Sequence, residues 1–254
     1  MKLLLQQLIK HLNELLNPMQ MHDYCPNGLQ VEGNHKVNKI VTGVTASEAL
    51  IDAAIEAKAD LILVHHGYFW KGENPIITGM KKKRLQKLLA HNISLLAYHL
   101  PIDVHPELGN NMQLGLQLGC INIVPHPDIS PKGIVMLGDL ENSLDNEKLC
   151  DLISDRLNRR ALGVGENTTI TKLAWCTGGG QSYIDKVATG SIAIDAYISG
   201  EISEQTTHSA LEQDIVYFAA GHHATERYGV KAVGEWISKQ HKISVQFIDI
   251  DNPA

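Results

Sequence analysis

Apolar positions along the chain keep two different periods. In LQQLIKHLNELL, Leu5, Leu8, Ile9, Leu12 and Leu15/Leu16 recur at helical steps, with Gln, Lys, His, Asn and Glu between them. This spacing predicts an amphipathic helix that ends before Pro18, not the unbroken apolar core and cleavage site of a signal peptide. KIVTGV (39–44), DLILVHH (60–66) and ISLLAYH (93–99) are short, apolar and β-rich, and they predict strands. The intervening segments 46–59 and 80–92 carry helical spacing. After Pro127 the alternation resumes, with IVMLGDL as a strand, NEKLCDLISDRL as a helix and TKLAWCT as a strand. Strands separated by helices of this length predict βαβ units, hence an α/β fold with sheets flanked by helices.

Two segments share one order of features. TGVTASEALIDAAIEAKADLILVHHG (42–67) and WCTGGGQSYIDKVATGSIAIDAYISGE (175–201) each run strand, small-residue turn, helix containing Ile-Asp, then apolar strand. Each is followed by a strand that ends in His with a carboxylate four residues on: His99 with Asp103, and His222 with Glu226. The expectation is two similar halves related by internal duplication, 1–127 and 128–254, with an approximate boundary that strands can cross. Similar βαβ units also resemble each other for purely physical reasons, which is the rival explanation.

Composition narrows the class. The chain has 254 residues, 44% hydrophobic and 20% charged, which suits a folded globular protein. A net charge of −6 argues against general affinity for nucleic acid or for an anionic membrane surface. No apolar run reaches the length of a membrane span. The four cysteines, Cys25, Cys120, Cys150 and Cys176, are widely spaced and form no CxxC, so a reduced, cytoplasmic protein is expected.

The chemistry sits where predicted strands end. In parallel α/β sheets the ligand crevice lies beyond the carboxyl ends of strands. His65-His66, His99 through Asp103, the turn around Glu201, and His222 through Glu226 all fall there. Imidazole and carboxylate without thiolate suit zinc, manganese, iron, cobalt or nickel. Adjacent strand residues point to opposite faces, so His65 and His66 are expected to serve two neighbouring divalent ions, one each. Asp103 and Glu226 are the bridging or capping candidates and His222 completes the second ion; a bound water would supply the nucleophile. Glu226 is expected in the first turn of the helix after GHH, where its charge offsets the dipole. His99 is open between ligand, orienter of a ligand and proton carrier. Most of the 13 histidines are packed or solvated; His223, His105, His126 and His208 are expected to be structural.

NGLQVEG, LILVHHGYFW, AYHLPIDVHPELGNN, CTGGGQSYID, DAYISGEISEQTTHSA and AAGHHATERYG together resemble the dinuclear-metal family called GTP cyclohydrolase 1 type 2, or Nif-three-like, over nearly the whole chain. The resemblance implies two interlinked α/β domains and a toroidal homohexamer. It also implies His65, His66, Asp103, His222 and Glu226 as ligands of two metal ions, with His99 outside that set. The large central insertion of some members is absent. Cyclohydrolase activity does not follow from the family name alone.

Three functions are therefore carried forward. The first is a metal-dependent hydrolase acting on a nucleotide or a related purine or phosphate compound. The second is a metal-holding scaffold or regulatory partner that turns nothing over. The third is metal-free acid–base catalysis by His99 and Asp103, which would survive chelation. CTGGGQSY reads equally as a phosphate cradle or a tight glycine turn, and Lys81–Arg84 as an anion trap or a solvated helix face. The DYCPNGLQVEG loop, with Asn27 and Gln30, either lines the site or is a surface turn.

Overall fold

The computed structural model describes residues 3–166 and 168–254. It is a mixed α/β protein whose chain forms two compact units. The first comprises Met1–Ile102 and Gly229–Asp251; the second comprises Asp103–Tyr228 and Asn252–Ala254.

In the first unit a five-stranded sheet has the order β13-β4-β5-β6-β2. These strands are Ser244–Phe247 (β13), Lys39–Thr45 (β4), Leu61–His66 (β5), Ser94–Ala97 (β6) and Gly28–Val31 (β2). All neighbours run parallel except β2, which is antiparallel to β6. A small ribbon pairs Leu3–Leu4 (β1) with Lys36–Val37 (β3). Crossovers are made by α2 (Glu48–Glu56) and α3 (Gly79–Ala90). The first of these starts at Ser47, whose side chain accepts the N–H of Leu50. The helix α1 (Leu5–Leu16) buries Leu5, Leu8, Leu12 and Leu16, the face its spacing predicts. Leu61 to Val64 are fully buried on both sides, as a central parallel strand requires.

The second unit holds a six-stranded sheet, ordered β7-β8-β10-β11-β12-β9. Its strands are Ile121–Pro125 (β7), Met136–Leu144 (β8), Leu162–Val164 (β9), Ile170–Cys176 (β10), Ala196–Ser199 (β11) and Val216–Ala219 (β12). The run β10-β11-β12 is parallel, with antiparallel strands at both margins. Its helices are α5 (Asn110–Gln117), α6 (Asn146–Leu157), α7 (Ile184–Ala188) and α8 (Glu204–Glu212). Trp175 centres the core: it is fully buried and its indole N–H donates to the Asn111 carbonyl at 2.7 Å. Gly115 and Gly138 make room for it, since a Cβ on either would come within 2.4 and 2.8 Å of the ring.

Two helices carry site residues past the point where one unit gives way to the other. These are α4 (Leu100–Val104) and α9 (His222–His241). All four cysteines are free. Among the described residues no helix is long and apolar enough to cross a membrane.

Candidate metal centre

In the first unit three imidazoles gather at the ends of β5 and β6. His65, His66 and His99 each bring one ring nitrogen to within 4.8 Å of the others. The His65 and His66 rings lie 4.4 Å apart, centre to centre. Such closeness is compatible with the expectation that each ring serves one of two neighbouring ions, and its setting is local. Pairing of β5 with β6 ends at Val64 opposite Ala97, while β4 still pairs with β5 at Thr45 opposite His66, and the chain turns at Gly67. Gly67 has to be glycine: a Cβ would sit 2.2 Å from Gln30 Oε1 and 2.5 Å from Ala97 Cβ. The Gln30 amide then clamps the turn, accepting from the Tyr68 N–H at 2.7 Å and donating to the Tyr68 carbonyl at 3.1 Å.

Each ring is held by one nitrogen. His65 Nδ1 donates to the Tyr98 carbonyl at 3.2 Å; a carbonyl only accepts, so the proton is on Nδ1 and the lone pair on Nε2. His66 Nδ1 lies 3.2 Å from Thr45 Oγ1. His99 Nδ1 lies 2.7 Å from Asp23 Oδ1, and its backbone N–H donates to Asn27 Oδ1 at 2.7 Å. Asp23 also accepts from the N–H of Leu100 and from Asn27 Nδ2. Burial works to raise its pKa, but the hydrogen bonds from His99 and Asn27 outweigh it and hold the carboxyl below the usual range. Trp70 stands edge-on to His99 at 5.0 Å. The polar loop around Asn27 and Gln30 thus forms a layer behind the imidazoles rather than a bare surface turn. Asp23, its most important member, was not singled out by the sequence; its only signal was its place in that loop. Cys25 also approaches Asp23 and His99, but burial first and then the Asp23 charge push its thiol up to about 12.

The second unit assembles carboxylates. The helix α9 begins at His222, two residues earlier than its apolar spacing suggested. Glu226 is accordingly in its second turn, not its first, and stands one turn from His222 on the same face. His222 Nε2 lies 3.1 Å from Glu226 Oε2, and His222 Nδ1 lies 2.7 Å from Glu201 Oε1. Burial lowers the basicity of His222, but the hydrogen bonds and charges of Glu226 and Glu201 prevail and raise its pKa to about 9. Carboxylate oxygens of Asp103 and Glu226 lie within 4.8 Å of each other. Both residues are buried, and Asp103 Oδ1 accepts from Asn110 Nδ2 at 2.8 Å. Burial, then the charges of Asp103 and Glu226, hold the Cys176 thiol well above its ordinary value.

The glycine turn after β10 clears space for this cluster. Gly178 has φ +61°, and a Cβ there would lie 2.0 Å from Glu226 Oε1 and 3.0 Å from His222 Nε2. Its N–H donates to Thr225 Oγ1, and the Thr177 N–H donates to Asn111 Oδ1. Both leading amides are committed inside the protein, which favours the structural turn over a phosphate cradle. Of the lysine run, Lys81 pairs with Glu73 and lies over Phe69. His105 and His126 accept backbone N–H groups through Nδ1, in keeping with structural roles. His223 is buried, with its backbone N–H on the Ala254 carbonyl.

The model of the Duf34/NIF3 family (NGG1p interacting factor 3) matches residues 3–253. The chain belongs to the Duf34/NIF3 family. Curated NIF3 relatives include proteins named "GTP cyclohydrolase 1 type 2 homolog". One from Vibrio cholerae is 54% identical, with 98% of each chain covered. Another from Pseudomonas aeruginosa is 52% identical, with 100% of each covered. Among solved structures, a protein titled ybgI, of unknown function, superposes with TM-score 0.95 at 49% identity, covering 99% of this chain and 100% of its own. The NIF3 fold and the presence of clustered His, Asp and Glu donors fit metal binding.

Proposed function

We propose that this NIF3 protein is a metal-dependent hydrolase acting on a nucleotide or a related purine or phosphate compound. In this reading His65, His66, Asp103, His222 and Glu226 form one ligand set for two divalent ions. The observation that carries it is how the imidazoles are held. Nδ1 of His65, His66, His99 and His222 faces an oxygen from Tyr98, Thr45, Asp23 and Glu201 respectively. Metal-ligating histidines are characteristically held this way, with the other nitrogen directed at the ion. Two buried carboxylates close together in the second unit add anionic oxygen donors, and such groups are costly to bury without a cation. Five donors also exceed what one tetrahedral ion takes, which supports a count of two.

Ions bound there supply Lewis acidity, polarising a carbonyl or phosphoryl oxygen and making water acidic near neutral pH. The protein's own part is orientation and proton handling. Asp103 and Glu226 bring the negative charge that fixes the cations. His99, anchored at Nδ1 by Asp23, has Nε2 left to move a proton and is assigned that role rather than ligation. Trp70 covers the His99 ring and restricts water around it. The match between β4-β5-β6 and β10-β11-β12, each parallel and each ending in site residues, supports reading the halves as duplicates.

The test is elemental analysis of the purified full-length protein, with turnover measured against a nucleotide panel for wild type and Glu226→Gln. Bound transition ions and metal-dependent turnover that Glu226→Gln removes support the hydrolase. Ions without any turnover point to the scaffold reading, and turnover that survives chelation points to metal-free acid–base catalysis. A preparation without transition ions overturns the proposal. Light scattering at the mass of six chains would support the homohexamer.

A further inference from the structure

Within the second unit a cavity of about 290 Å3 opens beside Asp103. Its walls are Val104, Pro106, Met112, Pro125 and Met136. These five side chains make most of the enclosure apolar. Two methionines matter particularly, because thioether sulfur packs favourably at the edges of aromatic rings and the unbranched side chain adapts to ring shape. Two prolines add flat, rigid faces. The volume lies at the lower end of small-molecule sites, which run from roughly 300 to 1,000 Å3. It therefore suits a one- or two-ring group and not an entire nucleotide.

The polar members of the lining are few and distinct. The imidazole of His105 is fixed, its Nδ1 accepting the N–H groups of Glu107 and Leu108. Lys132 is solvent-exposed, lines the same cavity and makes no ion pair among the described residues. Asp103 connects the cavity to the carboxylate cluster with Glu226. A lysine beside an apolar enclosure is a point charge able to hold the anionic end of a ligand whose ring is buried.

We propose that this cavity is the substrate-recognition subsite, and that it takes the aromatic ring of a small anionic molecule whose charge is held by Lys132. The assignment deepens the hydrolase reading and rests on it only for the statement that the bound molecule is the substrate. Recognition of the ring belongs to the second unit and needs no metal.

Four probes separate the elements of the proposal: 1-naphthyl phosphate, cyclohexyl phosphate, 1-naphthol and inorganic phosphate. Binding is measured by calorimetry on the full-length protein, both as purified and after chelation. The expected result is that 1-naphthyl phosphate binds at least about tenfold tighter than each of the other three, in both states. Lys132→Ala should remove about tenfold of that affinity and Lys132→Arg should keep it, since a cation at that place suffices. Met112→Trp fills the cavity and should abolish the preference for the naphthyl ring; Pro106→Trp, at the exposed rim, does the same with less demand on the core. Equal binding of naphthyl and inorganic phosphate, or a preference untouched by both tryptophan variants, overturns the subsite. Tight binding of cyclohexyl phosphate overturns the aromatic assignment. Failure of the metal reading is seen separately, as absent ions in elemental analysis, and leaves the chelated-state binding result unaffected.

Discussion

The two units place their site residues on the same kind of scaffold and load them with opposite electrostatics. In the first, the parallel strands β5 and β6 lead into imidazoles, and the carboxylate behind them, Asp23, is engaged by His99 and by backbone N–H groups. In the second, the equivalent run ends in Glu201 and His222, with Asp103 and Glu226 close together and buried. The first supplies soft orientation and nitrogen lone pairs. The second supplies charge, and it is the half with the stronger need for a cation. The first unit is thus a donor half and the second a charge half.

The largest test of that division is steric. Gly178→Ala would drive a methyl group into Glu226 Oε1 at a position that also demands a positive φ. Gly67→Ala in the first unit meets mainly the Gln30 amide and the Ala97 methyl, so it strikes a support and not a ligand. Gly178→Ala should reduce bound metal by at least about tenfold while far-UV dichroism stays native. Gly67→Ala should lose clearly less. If both lose equal metal, the charge half is not the more demanding one.

The next test removes the carboxylates that orient the rings. Supports of this kind typically carry about 10–100-fold in metal affinity. Asp23 is almost fully buried and holds His99, whereas 45% of the Glu201 side chain is exposed and it holds His222. Asp23→Asn should therefore change activity more than Glu201→Gln, because water screens the exposed carboxylate. As His99 is assigned to proton transfer, Asp23→Asn should lower kcat with little change in metal content, while Glu201→Gln should weaken metal binding. Competitive chelator titration and steady-state kinetics separate the two.

What the sequence made legible follows from what is local. The buried run LILV and the caps and apolar spacing around NEKLCDLISDRL specify their elements by themselves, and the helix 146–157 has the bounds its pattern indicates. The proximity of His222 and Glu226 was legible from their spacing, but the helix start was not. Gly221, with φ +99°, sets the entry to α9, and no Ser, Thr, Asp or Asn cap precedes His222 to announce it. Asp23 was invisible for another reason. Its partners, His99 and Leu100, lie over seventy residues away, so only the folded sheet gives the carboxylate a purpose. The closeness of the His65 and His66 rings was hidden because the sequence does not show that β6 stops pairing at Val64 while β4 still pairs with β5 at His66.

Titration of chelated protein sharpens the contrast further. His222 holds its extra proton in the fold up to about pH 9, against about 6.5 in an unfolded chain. Its contribution to stability is therefore complete below the unfolded value and disappears as pH rises through about 9. Asp23 has the opposite sign. Its depressed carboxyl contributes above the unfolded carboxylate value, about 3.9, and that contribution is lost as acid protonates it. The metal-free protein should thus lose thermal stability toward alkaline pH through the second unit and toward acid through the first. Glu201→Gln should flatten the alkaline fall and Asp23→Asn the acid one, each leaving the other limb in place.

The smallest effect checks that stability and metal binding are separable at all. Ser47 caps α2, its hydroxyl oxygen accepting the Leu50 N–H at 3.2 Å. Thr45, two residues earlier, holds His66, so the cap lies next to the donor half without entering it. Ser47→Ala should cost about 1 kcal/mol in denaturant unfolding. Because β4 and β5 hold Thr45 and His66 in register whether or not the helix end frays, metal content should be unchanged. A loss of metal in Ser47→Ala, comparable to that from a ligand substitution, would mean that the imidazole half depends on the crossover helix for its geometry. The two units would then differ in rigidity as well as in charge.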